Sequence, residues 1–191
     1  MSLKSHLPLR RPLAFLGAGL LAAVGITGAG LTGAHQAQAA SRAGSSLAPM
    51  FGYWNPTLGD NFNAVTYEET HTAQNTGYLL SRQEGWAMQY QEPGSVALLL
   101  MWNAARGDYF STATAVGHTS GLEAGYADLG TQGYVYPYRA AGTVPLYQMW
   151  SGARQDNFVT ATQAGYNSAI QAGYYVVRIE GYVYPVPGAT T

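Results

Sequence analysis

Trp54-Asn55-Pro56-Thr57-Leu58-Gly59-Asp60-Asn61-Phe62, Trp102-Asn103-Ala104-Ala105-Arg106-Gly107-Asp108-Tyr109-Phe110 and Trp150-Ser151-Gly152-Ala153-Arg154-Gln155-Asp156-Asn157-Phe158 are three versions of one segment, each 48 residues after the last. The same step relates Thr66, Thr114 and Thr162; Gly77, Gly125 and Gly173; Tyr78, Tyr126 and Tyr174; and Gly85, Gly133 and Gly181, with no gap anywhere. Seven identical columns at one fixed period mark an internally repeated architecture, in which a single unit cannot bury its apolar face and stacked units share a core.

Outward from the segment, each unit reads the same way. In the second, the apolar run Ala97–Trp102 has strand length, Asn103–Gly107 is a turn, and Asp108–Ala113 alternates as a returning strand. Thr114 reads as a helix N-cap, Thr66-Tyr67-Glu68-Glu69 has capping-box spacing, and Gly125 ends the helical stretch. Tyr126–Leu129 and Gly133–Tyr138 are expected as two further short strands split by a turn at Gly130-Thr131-Gln132. Three units (50–97, 98–145 and 146–191), each with about four short strands and a short helical segment, predict an all-β domain over 50–191. The expected arrangement is a β-trefoil with pseudo-threefold symmetry; a small propeller is the rival, and three blades are few for one.

Lys4, Arg10 and Arg11 precede an uncharged, Leu/Ala/Gly-rich stretch, Leu13–Leu31, and Ala37-Gln38-Ala39 has the small-x-small form of a cleavage site. Residues 1–39 therefore read as a signal peptide and 40–49 as a flexible lead-in, which predicts a secreted, extracellular protein with no membrane contact after cleavage. The remaining chain has no lysine, and its six arginines face ten acids, a formal charge of −4. That balance argues against nucleic-acid binding. The absence of cysteine excludes disulfides, thiolate chemistry and Cys-based zinc sites.

The three segments resemble the W/Y-N-x-x-x-G-D-x-F-x-T pattern of a family of secreted bacterial and fungal repeat domains. Glu84-Gly85-Trp86, Gln132-Gly133-Tyr134-Val135-Tyr136 and Glu180-Gly181-Tyr182-Val183-Tyr184 resemble that family's closing E-G-x-x-x-Y motif. The resemblance spans 50–186 and implies a secreted, trefoil-like domain that binds glycans or attaches a partner to a surface. Ser151 and Gln155 depart from the pattern, so the third turn is expected to be the altered one.

For chemistry the chain offers little. His71 and His118 are not repeat-equivalent and read as surface residues; no nucleophile or zinc-protease motif accompanies them. Threefold symmetry is expected to hold Asp60, Asp108 and Asp156 far apart on separate lobes, which argues against a glycosidase-type carboxylate pair. Each Asp caps its turn or touches ligand. The phenylalanines at 62, 110 and 158 are expected in the core, with the tryptophans half-buried at a rim. The reading is a non-catalytic, lectin-like carbohydrate-binding module needing no cofactor or metal. It would bind a glycan or cell-surface polysaccharide through up to three weak sites. The contacts are Trp54, Asn55 and Asp60 with their counterparts Trp102, Asn103, Asp108, Trp150 and Asp156. The alternative is a protein–protein adaptor subunit of a secreted assembly.

Overall fold

The computed structural model describes residues 47–188; the expected leader (1–39) and residues 40–46 lie outside that range. Unit 1 comprises β1 (Leu47–Asn55), β2 (Asp60–Ala64), α1 (Tyr67–Asn75) and β3 (Leu79–Met88). Unit 2 repeats the order as β4 (Val96–Asn103), β5 (Asp108–Thr112), α2 (Ala115–Glu123) and β6 (Ala127–Val135). Unit 3 does so as β7 (Val144–Ser151), β8 (Asp156–Thr160), α3 (Gln163–Gln171) and β9 (Tyr175–Val183). In each unit the first strand is central and pairs antiparallel with both others. The protein is mostly antiparallel β-sheet with three short helices among the described residues. None of these helices is long and apolar enough to cross a membrane.

The hairpin, the N-caps and the helix stops lie where their residues place them. Thr66, Thr114 and Thr162 each accept the backbone N–H three residues on, and Glu69 completes the capping box at Thr66. Leu47–Pro49, expected in a flexible lead-in, instead open β1 and pair with Trp86–Met88.

The expected fourth strand is absent, because Gly130-Thr131-Gln132 does not turn. β6 runs through it and takes up the extra length in two bulges against the central strand β4. Leu98 pairs with Gly133 and Leu99 with Thr131, which leaves Gln132 as the extra residue; Leu100 pairs with Gly130 and Met101 with Asp128, which leaves Leu129. The other units bulge at the same places, extruding Glu84 and Ser81 in unit 1 and Glu180 and Val177 in unit 3. A bulge re-aims its extra side chain.

The three units share one core, to which each contributes: Met50, Val65 and Ala87; Leu98 and Val135; Val144, Leu146, Val159 and Val183. The buried Phe62, Phe110 and Phe158 lie in three smaller clusters, each with its unit's Tyr78, Tyr126 or Tyr174. The strands β2, β5 and β8 touch one another pairwise, and so do β3, β6 and β9. Main chains approach closely where the third strands meet. A Cβ at Gly85, Gly133 or Gly181 would lie 2.8, 2.9 or 2.9 Å from the carbonyl oxygen of Tyr184, Met88 or Tyr136, so only glycine fits.

Candidate functional site

The aspartates do not sit on separate lobes. Each opens the second strand of its unit, those strands meet, and carboxylate oxygens of Asp60, Asp108 and Asp156 all lie within 4.8 Å of one another. Nor does any of them cap its own turn. Each reaches the next unit in a closed ring: Asn61 N–H donates to Asp156 (2.9 Å), Tyr109 N–H to Asp60 (3.1 Å) and Asn157 N–H to Asp108 (3.2 Å). Each also accepts from its own unit's tyrosine hydroxyl, Tyr78, Tyr126 or Tyr174. The Asn61 and Asn157 side chains add amide donors to Asp156 and Asp108, at 2.8 and 3.0 Å. Tyr109 has no amide to offer Asp60.

Three buried carboxylates this close cannot all be ionised without a counter-charge. Burial pushes Asp60 up to about 11, with the Asp108 charge and a hydrogen bond to Asp108 adding to it. Burial and the Asp156 charge raise Asp108 to about 7, and burial raises Asp156. Burial and the neighbouring aspartates also raise the three tyrosines, which stay protonated as donors. This cluster is the one group among the described residues with the ligand set for a hard cation. Each carboxylate accepts at least one backbone N–H from the next unit and a tyrosine hydroxyl from its own, so as it stands the cluster fastens the three units through shared protons and hydrogen bonds.

Asn55 and Asn103, expected as ligand contacts, are 3% exposed and serve the turn. Their side-chain oxygens accept from the backbone two and three residues on. Their amides donate to the helix-end carbonyls of Thr76 and Ala124. The aspartates are 1% exposed, so neither residue type can meet a surface ligand. Trp54, Trp102 and Trp150 are half-buried at the rim, as expected.

What the tryptophans border are three junctions between units. At the junction of units 1 and 3, Arg154 lies over the Trp54 ring at 5.3 Å and near Tyr174 at 5.8 Å. A groove of about 370 Å³ opens there, lined by Trp54, Asn61, Ser81, Arg82, Phe158 and Ser168 among others. At the junction of units 3 and 2, Arg106 lies 5.4 Å over Trp150 and 5.6 Å over Tyr126. At the junction of units 2 and 1 the position of these arginines is held by Leu58, and Tyr109 stacks on Phe62 and packs against Trp102, with centroids at 4.3 and 4.4 Å.

Beneath each rim the first bulge residue fastens the junction. Glu84 accepts from the Thr160 and Thr162 hydroxyls (2.6 and 3.0 Å) and pairs with Arg82 (3.2 Å). Glu180 accepts from the Thr112 and Thr114 hydroxyls (2.7 and 2.9 Å) and pairs with Arg178 (3.1 Å). Gln132 instead donates to the Asn63 carbonyl at 2.6 Å, and the carboxylate at that junction comes from within unit 1, where Glu69 accepts from Val65 and Thr66 N–H. Glu69 stands at the repeat position of Gly117 and Gly165, where a Cβ would meet the Thr112 or Thr160 hydroxyl oxygen at 2.1 Å. Sequence reasoning named the Glu84, Gln132 and Glu180 motifs without a role. The coupled exchange of four repeat columns (64, 69, 82 and 84) was the signal that could have supplied one.

His71 and His118 lie on the helices; His118 Nε2 is 2.9 Å from Asp128 and His71 lies beside Asn75.

Compared with known proteins, residues 49–184 match the family described as "Domain of unknown function (DUF5648)". No curated protein and no solved structure matches the chain.

Proposed function

Since the chain belongs to the DUF5648 family, whose description names no activity, we propose from its junctions that it is a secreted, non-catalytic carbohydrate-binding module. The observation that carries this is the groove between units 1 and 3, where the Trp54 ring stands beside hydroxyl, amide and guanidinium groups. An aromatic face packs on the apolar C–H face of a sugar while polar groups take its hydroxyls. The junction of units 3 and 2 repeats the aromatic–arginine part, so two sites are proposed in place of three. Extracellular location rests on the N-terminal charge, apolar stretch and Ala37-Gln38-Ala39.

The three units are read as a trefoil-like, pseudo-threefold closure, supported by the ring of equivalent aspartate bonds and the common core. Each contributes three strands and a helix, and the meeting of β2, β5 and β8 also suits three blades on one axis.

A glycan array tests the function. Binding should fall about tenfold or more in Trp54→Ala and Trp150→Ala and stay within about twofold in Trp102→Ala. Silence toward every glycan by a folded protein refutes it. The adaptor reading is favoured by one feature, the exposed Leu79, Leu80, Leu129, Tyr175, Val176 and Ile179 on the third strands. A stable complex lost on Leu79→Ser with Leu80→Ser, in a protein silent on the array, would support it.

A further inference from the structure

The rim tryptophans account for sugar binding in general; the arginines beside them select among sugars. Of the six arginines after residue 39, four stand at two junctions: Arg82 and Arg154 between units 1 and 3, Arg106 and Arg178 between units 3 and 2. The chain is otherwise acidic, so this concentration is local. Arg82 and Arg178 have partners in Glu84 and Glu180. Arg154 has none: among the described residues it makes no hydrogen bond or ion pair, and its contacts are the Trp54 and Tyr174 rings. No acidic side chain lines the groove. A guanidinium held over an aromatic face leaves its N–H edge free, and that edge matches a carboxylate in two parallel hydrogen bonds. Across the groove Arg82 sends Nη2 to Ser168 Oγ at 3.3 Å, a second cationic edge beside a hydroxyl.

We propose that the groove between units 1 and 3 takes a carboxylate-bearing sugar residue of an acidic polysaccharide, with Arg154 clamping the carboxylate and Trp54 flanking the ring. This rests on the carbohydrate-binding reading and narrows it. The volume suits a short stretch of chain at the small end of ligand pockets. Polyuronates and sialylated chains both present the carboxylate; the shared chemistry is a carboxylate fixed on a pyranose ring.

Calorimetric titration of the purified protein with paired probes tests it. The pairs are tri-galacturonate, tri-mannuronate and sialyl-lactose, each against its carboxyl-reduced or desialylated neutral counterpart, with a sulfated galactose trisaccharide as a separate anion. At least one carboxylate probe should bind about tenfold or more tighter than its counterpart, with affinity falling as salt rises. Arg154→Gln, a change at an exposed position, should bring that pair to within about twofold by weakening the carboxylate probe far more than its neutral counterpart. Equal binding within every pair overturns the acidic preference and leaves the carbohydrate reading standing. Preference for the sulfated probe over all carboxylates overturns it as well. No binding of any probe, acidic or neutral, by a folded protein overturns both.

Discussion

The junction of units 1 and 3 and the junction of units 2 and 1 are built on the same backbone frame and have opposite chemistry. The first has two arginines, an unfilled groove and a glutamate reaching across to two threonines. The second has Leu58 and Gly130 at the arginine positions, Gln132 at that of the glutamate and Leu129 at that of Ser81, with Tyr109 stacked in the place where Asn61 stands in the first. The buried part keeps its connectivity when side chains change: a carboxylate meets the backbone before the helix in every unit, whether Glu84, Glu180 or Glu69 supplies it. The rim keeps its tryptophan in all three units and little else. Below the rim all three junctions preserve what closes the ring, whereas the arginine over the tryptophan is preserved at only two.

The sharpest way to break this comparison is to remove the carboxylates. Glu84 is fully buried, and Glu84→Ala leaves Arg82, two threonine hydroxyls and the Ala161 N–H without their acceptor. We expect a loss of about 3–5 kcal/mol in urea unfolding. Glu69 is only half-buried and acts within its own unit as a capping box, so Glu69→Ala should cost about 1–2 kcal/mol. Equal losses would mean that the crossing carboxylate does no more than a local cap.

The odd junction also sets the pH response. Asp60 receives from Tyr109 a backbone N–H but no amide, and of the three aspartates it is the one raised to about 11; Asp108 is raised to about 7. A carboxyl that holds its proton more tightly folded than unfolded contributes stability that is complete below its ordinary value of 3.8 and is lost as pH rises toward the folded value. Each such proton tilts stability by about 1.4 kcal/mol per pH unit. Unfolding free energy should therefore fall steeply from pH 5 to 7, where both protons contribute, and about half as steeply from 7 to 9. Asp60→Asn keeps a neutral donor in place and should remove the shallower slope; a wild-type profile flat from 5 to 9 would contradict the shared-proton cluster.

Sequence reasoning reached the repeat, the hairpin, the helix caps, the buried phenylalanines and the half-buried tryptophans, because each rests on residues acting within one unit. It missed what happens between units. The expectation that Asp60, Asp108 and Asp156 lie apart fails because the repeat gives a period and no distance between units, and β2, β5 and β8 touch pairwise and bring their first residues together. Gly130-Thr131-Gln132 looked like a turn because a bulge and a turn use the same small and polar residues. Ser151 and Gln155 pointed to unit 3 as the altered copy. The rim is instead altered at Leu58 and Tyr109, which belong to different units and became a pair only once the junction was seen.

That pair suggests a way to sharpen the comparison. Leu58 is exposed and Tyr109 half-buried, so Leu58→Arg with Tyr109→Asn should be tolerated and should give the third junction the arginine and amide of the other two. In the titration, a second and weaker carboxylate site should join the one between units 1 and 3. An unchanged stoichiometry would place the selectivity in Arg82, whose counterpart Gly130 the double variant leaves in place.

The smallest effect concerns the turn that carries Arg154. Gly59 and Gly107 hold the left-handed position of their hairpin turns at φ 76° and 68°, and Gln155 holds it in unit 3 at φ 58°. A residue with a Cβ is strained there by about 1–2 kcal/mol. The Gln155 amide donates to the Gly152 carbonyl at 2.8 Å, an exposed bond that recovers part of this. Gln155→Gly should therefore raise stability by about 0.5–1 kcal/mol in urea unfolding, while the reverse change at the matching site, Gly107→Gln, should lower it by about 1 kcal/mol. Since Arg154 directly precedes the strained residue, Gln155→Gly also frees the turn that places its guanidinium over Trp54. A more stable variant with weaker sugar binding would show that the strain is kept at this one junction to hold the arginine in position.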